Sequence, residues 1–185
     1  DRGLVGSEMC IRDSHWPTPS GENREALELL QQAANKGYAK SIGVSNYTIE
    51  MIEEACATLD DLPVCNQVEF HPYLDQSKLF AAATRLGIAL SAYCPLAKGR
   101  IFGDPVIKTL AAKYNRSEAQ IILRWIVQKG VSANPMSTKP ENLSANLEAL
   151  NFNLSAPDSA AIDRLGKKGL RIVDKDRMPI APEWD

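Results

Sequence analysis

Val64-Cys-Asn-Gln-Val-Glu-Phe70, running directly into His71-Pro72-Tyr73, is the stretch that decides the fold. β-formers stopped by a His-Pro pair read as a strand, because the residue before proline is held extended. From this strand the chain alternates strand and helix in both directions. Upstream, Thr48 caps a helix with Met51, Ile52 and Ala55 on one face, and Ser41-Ile-Gly-Val-Ser45 is a strand. Before that, Asn23 to Asn35 carries Ala26, Leu27, Leu29, Leu30, Ala33 and Ala34 at helical spacing, and Lys36-Gly37 ends it. Downstream, a helix from Gln76 to Leu86 stops at Gly87, and Ile88 to Tyr93 is a strand. A loop leads to a helix over Pro105 to Tyr114. Ser117 caps a second, Glu118 to Gln128, stopped by Lys129-Gly130. A weak strand from Val131 to Asn134 and helices over Pro140 to Leu150 and Ser155 to Leu165 complete the pattern. Near-continuous apolar strands joined by helical crossovers predict βαβ units and a parallel sheet covered on both faces.

In such folds ligands sit at the carboxyl ends of the strands. His15-Trp16-Pro17 follows a first strand stub, and Ser45-Asn46 follows the second strand. Asn66, Gln67 and Glu69 lie in the third, before His71-Pro72-Tyr73. Tyr93-Cys-Pro-Leu96 ends the fourth, and the fifth runs into Ser137-Thr138-Lys139. Polar or aromatic groups at every strand end favour a barrel rim over a doubly wound sheet, which needs only one or two such ends. A closed barrel of this type takes eight strands in roughly 250 residues. The expectation is a partial TIM (β/α)8 barrel: its C-terminal five strands with their helices, the N-terminal strands missing.

With those motifs in that order, the chain resembles the aldo-keto reductase family from residue 15 to residue 185. His15-Trp16-Pro17, Gly37 through Ser41-Ile-Gly-Val-Ser-Asn46, Asn66-Gln-Val-Glu-Phe-His-Pro-Tyr73 and Ser91-Ala-Tyr-Cys-Pro-Leu96 carry the resemblance. Ser137-Thr-Lys139 and the ending Ala181-Pro-Glu-Trp-Asp185 look most like the bacterial 2,5-diketogluconate (methylglyoxal) reductase branch. The resemblance implies NAD(P)H-dependent reduction of aldehydes and ketones in the cytoplasm by a parent enzyme of which this chain is a C-terminal fragment. The parent is expected to be monomeric and to take a small carbonyl substrate. A tyrosine hydroxyl gives the proton, a lysine–aspartate pair lowers that tyrosine's pKa, and a neutral histidine orients the carbonyl. The resemblance assigns the histidine to His15; the family's Tyr, Lys and Asp precede the motifs present here, so the fragment alone is expected to be inactive.

The resemblance also assigns cofactor contacts. Ser45, Asn46 and Gln67 hydrogen-bond the nicotinamide carboxamide and Tyr93 stacks on its ring. The backbone around Pro95 and Leu96 runs beside the pyrophosphate. Ser137, Thr138 and Lys139 meet the adenosine 2′-phosphate, with Asn142 and Asn146 nearer the adenine. Many members have a basic residue at the position of Met136 and arginine at that of Asn142, so Lys139 is the one positive charge left here. Phosphate recognition favours several donors or bidentate arginine. NADPH is the expected cofactor, and NADH stays open.

Two further readings stand beside the enzyme: a non-catalytic dinucleotide-binding module, and a subunit of the potassium-channel β type, disfavoured by the bacterial-type ending. Simpler roles stand beside the site assignments. Ser45-Asn46 serves as a turn leading to the Thr48 cap, His71 pins a turn, and Trp125 with Ile122 and Ile126 is core. Lys167-Lys168 is a solvated pair; for the tail from Arg171 to Asp185 the resemblance implies a substrate-specificity loop, and the plainer alternative is a frayed terminus.

A net charge of -2 and 44% hydrophobic residues exclude a strongly basic nucleic-acid or membrane-binding surface. No apolar run approaches the roughly 20 residues of a membrane span, and no signal-peptide pattern opens the chain. Cys10, Cys56, Cys65 and Cys94 lack metal-ligand spacing, and Cys56 and Cys65 read as buried small hydrophobes in a reducing compartment. No metal is expected. Residues 1–14 do not fit: Arg12 and Asp13 would bury charges where a barrel strand belongs. Residues 1–14 are therefore expected to be non-native or unstructured, 15–165 to form the partial barrel, and 166–185 a C-terminal loop.

Overall fold

The computed structural model describes residues 11–18 and 23–185. Strands β1 (Ile11–Ser14), β2 (Ser41–Ser45), β3 (Cys65–Glu69), β4 (Ala89–Tyr93) and β5 (Ser132–Ala133) form one sheet in the order β1-β2-β3-β4-β5. Pairs β1–β2, β2–β3 and β4–β5 are parallel. Helices α1 (Asn23–Asn35), α2 (Ile49–Thr58), α3 (Ser77–Leu86), α4 (Pro105–Tyr114), α5 (Glu118–Gln128), α6 (Pro140–Leu147) and α7 (Ala156–Asp163) fill the connections. Sequence neighbours pairing in order is the βαβ arrangement that the alternation predicted.

The chain divides into two compact units. Of the described residues, the first holds 11–18, 23–68, 78–90 and 173–185. Val44, Tyr47, Ile52, Ala55 and Val68 are fully buried there. Only Leu27 and Asn23 of α1 are buried, and Leu29 is exposed, so the apolar stripe of this helix is half covered. Gly37, at φ 75°, turns the chain out of α1 with Tyr38 N–H on the Ala33 carbonyl at 3.0 Å; the left-handed step favours glycine. The second unit holds residues 69–77 and 91–172. Its centre is α5, which buries Ile121, Ile122, Leu123, Trp125 and Ile126. A capping box starts it: Ser117 accepts from Gln120 N–H and the Gln120 side chain accepts from Ser117 N–H. The Trp125 ring lies 5.5 Å from Phe70 and its Nε1–H reaches Asp163 at 2.9 Å, in line with its reading as core.

Several expectations are corrected. Residues 11–14 are not unstructured: they form β1, in register with Ser41 to Val44. Asp13 is an exposed residue of this sheet, although partial burial still raises its carboxyl above the ordinary aspartate value. The Arg12 side chain and residues 1–10, Cys10 among them, lie outside the described residues. Cys56 and Cys65 are half-buried free thiols rather than core, as is Cys94. The helix expected to reach Leu150 is α6 plus a tight 3-10 turn at Glu148–Asn151, and the last one continues as a 3-10 turn at Arg164–Lys168. The C-terminal segment is shared: 166–172 belongs to the second unit and 173–185 to the first. Lys167 and Lys168 are exposed as read from the sequence, and Lys168 in addition pairs with buried Asp104 at 2.7 Å.

Candidate active site

In the first unit the turn after β2 is held from several sides. Ser45 Oγ donates to the Gln67 carbonyl at 2.8 Å, and Asn46 N–H donates to the same oxygen at 2.9 Å. Asn46 Nδ2 donates to the His15 carbonyl at 3.0 Å and to Ser45 Oγ at 3.2 Å. Asn46 sits at φ 64°, a left-handed conformation that asparagine tolerates better than most residues. Thr48 then caps α2 by accepting from Met51 N–H. The cap falls on Thr48, which has no predicted ligand role, while the turn falls on Asn46, which is also one of the predicted ligand residues.

His15, Ser45, Asn46 and Gln67 are thus brought together. Ser45 and Asn46 are buried, and the His15 side chain is exposed with its ring 6.3 Å from that of Trp16. Asn66 was named without a role. Fully buried, it brackets Tyr47: its Nδ2 donates to the Tyr47 carbonyl at 2.9 Å and its Oδ1 accepts from Tyr47 N–H at 3.4 Å. The signal was available, since a polar residue inside an apolar strand must find partners. Nearby, Pro17, Thr18 and Met51 line a hollow of about 260 Å3 with tail residues Lys175, Ile180 and Glu183. Asp185 closes the tail by accepting from Ile49 N–H at 3.0 Å.

In the second unit Tyr93 ends β4, half-buried. Burial, and then the negative charge of Glu69, push its phenol above the ordinary tyrosine range, while Arg171 and a backbone hydrogen bond from Glu69 pull the other way. Past Tyr93 the backbone is left-handed at Cys94, Ala97 and Lys98, with φ of 49°, 48° and 50°. Such a cluster of non-glycine residues is costly and concentrates where backbone groups must be aimed at something. Pro95 and Leu96 lie inside this loop. Ser137, Thr138 and Lys139 form a turn before α6, with Ser137 Oγ accepting from Lys139 N–H at 3.1 Å. Thr138, Lys139 and Asn142 are exposed at that end of the helix. Asn146 stands apart, lining an apolar hollow of about 340 Å3 with Leu123, Val127, Leu143 and Leu147.

Two further clusters in this unit had no predicted role as clusters. Glu69 and His71 are fully buried, and Glu69 Oε1 meets His71 Nε2 at 2.9 Å and accepts from Ile172 N–H at 2.6 Å. Asp104 Oδ2 accepts from Tyr73 Oη and Lys168 Nζ, both at 2.7 Å, and its Oδ1 caps α4. Among the described residues no group of side chains is arranged as metal ligands, and no helix is long and apolar enough to cross a membrane.

A parallel α/β sheet with polar groups at its carboxyl strand ends is shared by barrels and doubly wound folds, and comparison with known proteins decides between them. The aldo/keto reductase family profile matches residues 10–167. Methylglyoxal reductase DkgB of Escherichia coli O157:H7 is 41% identical over 174 residues, which is 92% of this chain and 64% of that protein. A structure assigned as a 2,5-diketo-D-gluconic acid reductase B superposes with a TM-score of 0.90 at 33% identity, over 95% of this chain and 62% of that one. A variant of Gox0644 solved with NADPH superposes with a TM-score of 0.85 at 34% identity, over 91% and 63% of the two chains. The chain belongs to the aldo/keto reductase family. It spans less than two thirds of the length of these relatives, and the fold read from the sequence is theirs over that part.

Proposed function

We propose that this chain supplies the nicotinamide-dinucleotide side of an NAD(P)H-dependent aldehyde and ketone reductase. The observation that carries the reading is the Ser45–Asn46–Gln67 turn, hydrogen-bonded to the backbone of His15. Both Asn46 amide hydrogens are engaged within the protein, so its contact to a carboxamide is through its oxygen, an acceptor for the ligand's NH2. Gln67 offers the second amide. Tyr93 is the stacking surface for the nicotinamide ring, which a bound cofactor would present for hydride transfer. The left-handed backbone around Pro95 and Leu96 meets the pyrophosphate, and Ser137, Thr138 and Lys139 meet the 2′-phosphate or, in NADH, the ribose. Asn142 belongs beside the adenine, and Asn146 serves the wall of its hollow as much as a ligand.

His15 is the orienting group for the carbonyl oxygen, with its imidazole in the open. The hollow between Pro17 and the C-terminal tail is the place for the body of a small carbonyl substrate. The proton donor and its lysine–aspartate pair are supplied by strand–helix units outside these residues. Relatives named methylglyoxal reductase and a neighbour holding NADPH support the reading. The test is titration of the 185-residue chain with NADPH and with NADH by fluorescence, alongside NADPH oxidation with methylglyoxal. Dinucleotide binding with turnover no faster than a no-protein control is the expected result. Failure of both dinucleotides to bind, or turnover clearly above the control, overturns it.

A further inference from the structure

The ladder between β2 and β3 ends with Val44 opposite Asn66 and Ser45 opposite Gln67. Tyr47, two residues further on, is fully buried, so its backbone N–H and C=O need partners inside the protein. One side chain meets both. Asn66 Nδ2 donates to the Tyr47 carbonyl at 2.9 Å, and Asn66 Oδ1 accepts from the Tyr47 N–H at 3.4 Å. A carboxamide carries a donor and an acceptor on one planar group, as a peptide does. The buried Asn66 side chain therefore continues the ladder past the end of β2 by standing in for a piece of backbone.

This bracket falls one residue after Asn46, which stands at φ 64°. A non-glycine residue in the left-handed region persists where its surroundings hold it there. On the near side, Asn46 N–H and Ser45 Oγ both donate to the Gln67 carbonyl, at 2.9 Å and 2.8 Å. On the far side the hold is Asn66. Two adjacent residues of β3 thus fix the turn from both flanks of Asn46, Gln67 through its main chain and Asn66 through its side chain. What they fix is the direction of the Asn46 carboxamide, whose Nδ2 reaches the His15 carbonyl and Ser45 Oγ.

We propose that Asn66 is a positioning residue of the dinucleotide site: it clamps the Tyr47 backbone so that Asn46 presents its carboxamide to the nicotinamide in a preset direction. This rests on the reading of Asn46 as a carboxamide contact. Asn66 is fully buried and acts through Asn46. Because the turn is ordered before the cofactor arrives, ordering it is not a cost of binding.

The test uses the 185-residue chain with Asn66→Leu, which keeps the size and removes donor and acceptor together. Asn46→Gly and the double variant complete a cycle, glycine being at ease in the left-handed turn. NADPH and adenosine 2′,5′-bisphosphate, which lacks the nicotinamide, are titrated by calorimetry. The expected result for Asn66→Leu is NADPH binding weakened about tenfold with the bisphosphate unchanged. In the Asn46→Gly background the same change should weaken NADPH by less than about twofold. Equal weakening of both ligands, no weakening of NADPH, or penalties that simply multiply in the double variant overturns the proposal. If Asn66→Leu does not fold, Asn66→Asp, which keeps the shape and an acceptor but loses the donor, is judged by the same results. If the unaltered chain binds neither ligand, the cofactor reading fails, and amide hydrogen exchange followed by NMR decides the positioning role. Asn46 N–H, which is bonded to Gln67, should exchange about tenfold or more faster in the Asn66 variant. Val64 N–H, on the Ile42 carbonyl at 2.8 Å at the other end of the same strand pair, should keep its rate. That selective loss supports the clamp, and equal acceleration of both amides or no acceleration overturns it.

Discussion

Asp104→Ala tests the cluster that fastens the 166–172 segment to the second unit. Asp104 is 5% exposed, and its two oxygens do different work. Oδ1 caps α4, accepting from Val106 N–H at 2.9 Å and Ile107 N–H at 3.4 Å; losing a cap costs about 1 kcal/mol. Oδ2 holds Tyr73 Oη at 2.7 Å, and stranding that buried hydroxyl costs about 1–3 kcal/mol. Lys168, whose side chain is 48% exposed, rehydrates when released, so its pair contributes at most about 1 kcal/mol. The expected loss is about 2–5 kcal/mol, a large part of the roughly 5–15 kcal/mol that holds a domain folded. Asp104→Asn keeps one acceptor oxygen for the cap and puts an NH2 in place of Oδ2, which can donate to the Tyr73 hydroxyl oxygen, so it is expected to lose less, about 1–2 kcal/mol.

Urea melts followed by circular dichroism measure both variants. Burial alone would raise the Asp104 pKa, but Lys168, Tyr73 and the two backbone N–H groups outweigh it and hold the carboxyl below its ordinary value. A carboxyl depressed in the folded state contributes stability above its unfolded pKa and loses it as pH falls through the folded one. The unaltered protein should therefore lose stability in acid, below the ordinary aspartate range, by an increment that Asp104→Asn lacks. A loss under about 1 kcal/mol for Asp104→Ala refutes the assignment of a cap and a stranded hydroxyl.

Two more outcomes follow from the sheet of the first unit. A Cβ built on Gly43 comes 2.2 Å from Asp13 Oδ1 and 3.0 Å from Cys65 Sγ, so Gly43→Ala should cost about 1–3 kcal/mol in thermal or urea melts. Asp13→Ala should recover part of that loss in the double variant, and strict additivity would count against the close approach. Burial and the charge of Asp13 push the Cys65 thiol up to about 11. At pH 8 it should carry on the order of a hundredth of the thiolate of an unperturbed cysteine and alkylate correspondingly slowly, read peptide by peptide by mass spectrometry. Labelling of Cys65 as fast in the folded as in the urea-unfolded protein would contradict this.

The bounds of α4 and α5 were legible because their signals are local: Pro105 at N1, the Ser117 capping box and the Gly130 stop each act within a turn of the residue that carries them. Thr48 as a cap and the order of the strands were legible for the same reason, one from a side chain and its near neighbours, the other from alternation. β1 was misjudged because Arg12 and Asp13 are poor residues for a fully enclosed strand. Pairing with β2 supplies the backbone bonds, and the exposure of Asp13 reduces the cost of its charge without removing it. Local reading placed Lys167-Lys168 in solvent, where both are exposed, but could not supply the Asp104 partner of Lys168, which lies 64 residues back in the chain.

The amino-acid sequence by itself determined the strand–helix alternation, the family, and the set of strand-end residues, because periodicity, caps and motifs are written in neighbouring positions. The tertiary structure alone decided what those residues touch. It spent the hydrogens of the Asn46 amide on His15 and Ser45, aimed Asn146 into an apolar hollow, and set Glu69 against both His71 and Ile172. Contacts between residues so far apart are chosen by packing and by the need of each buried polar group for a partner.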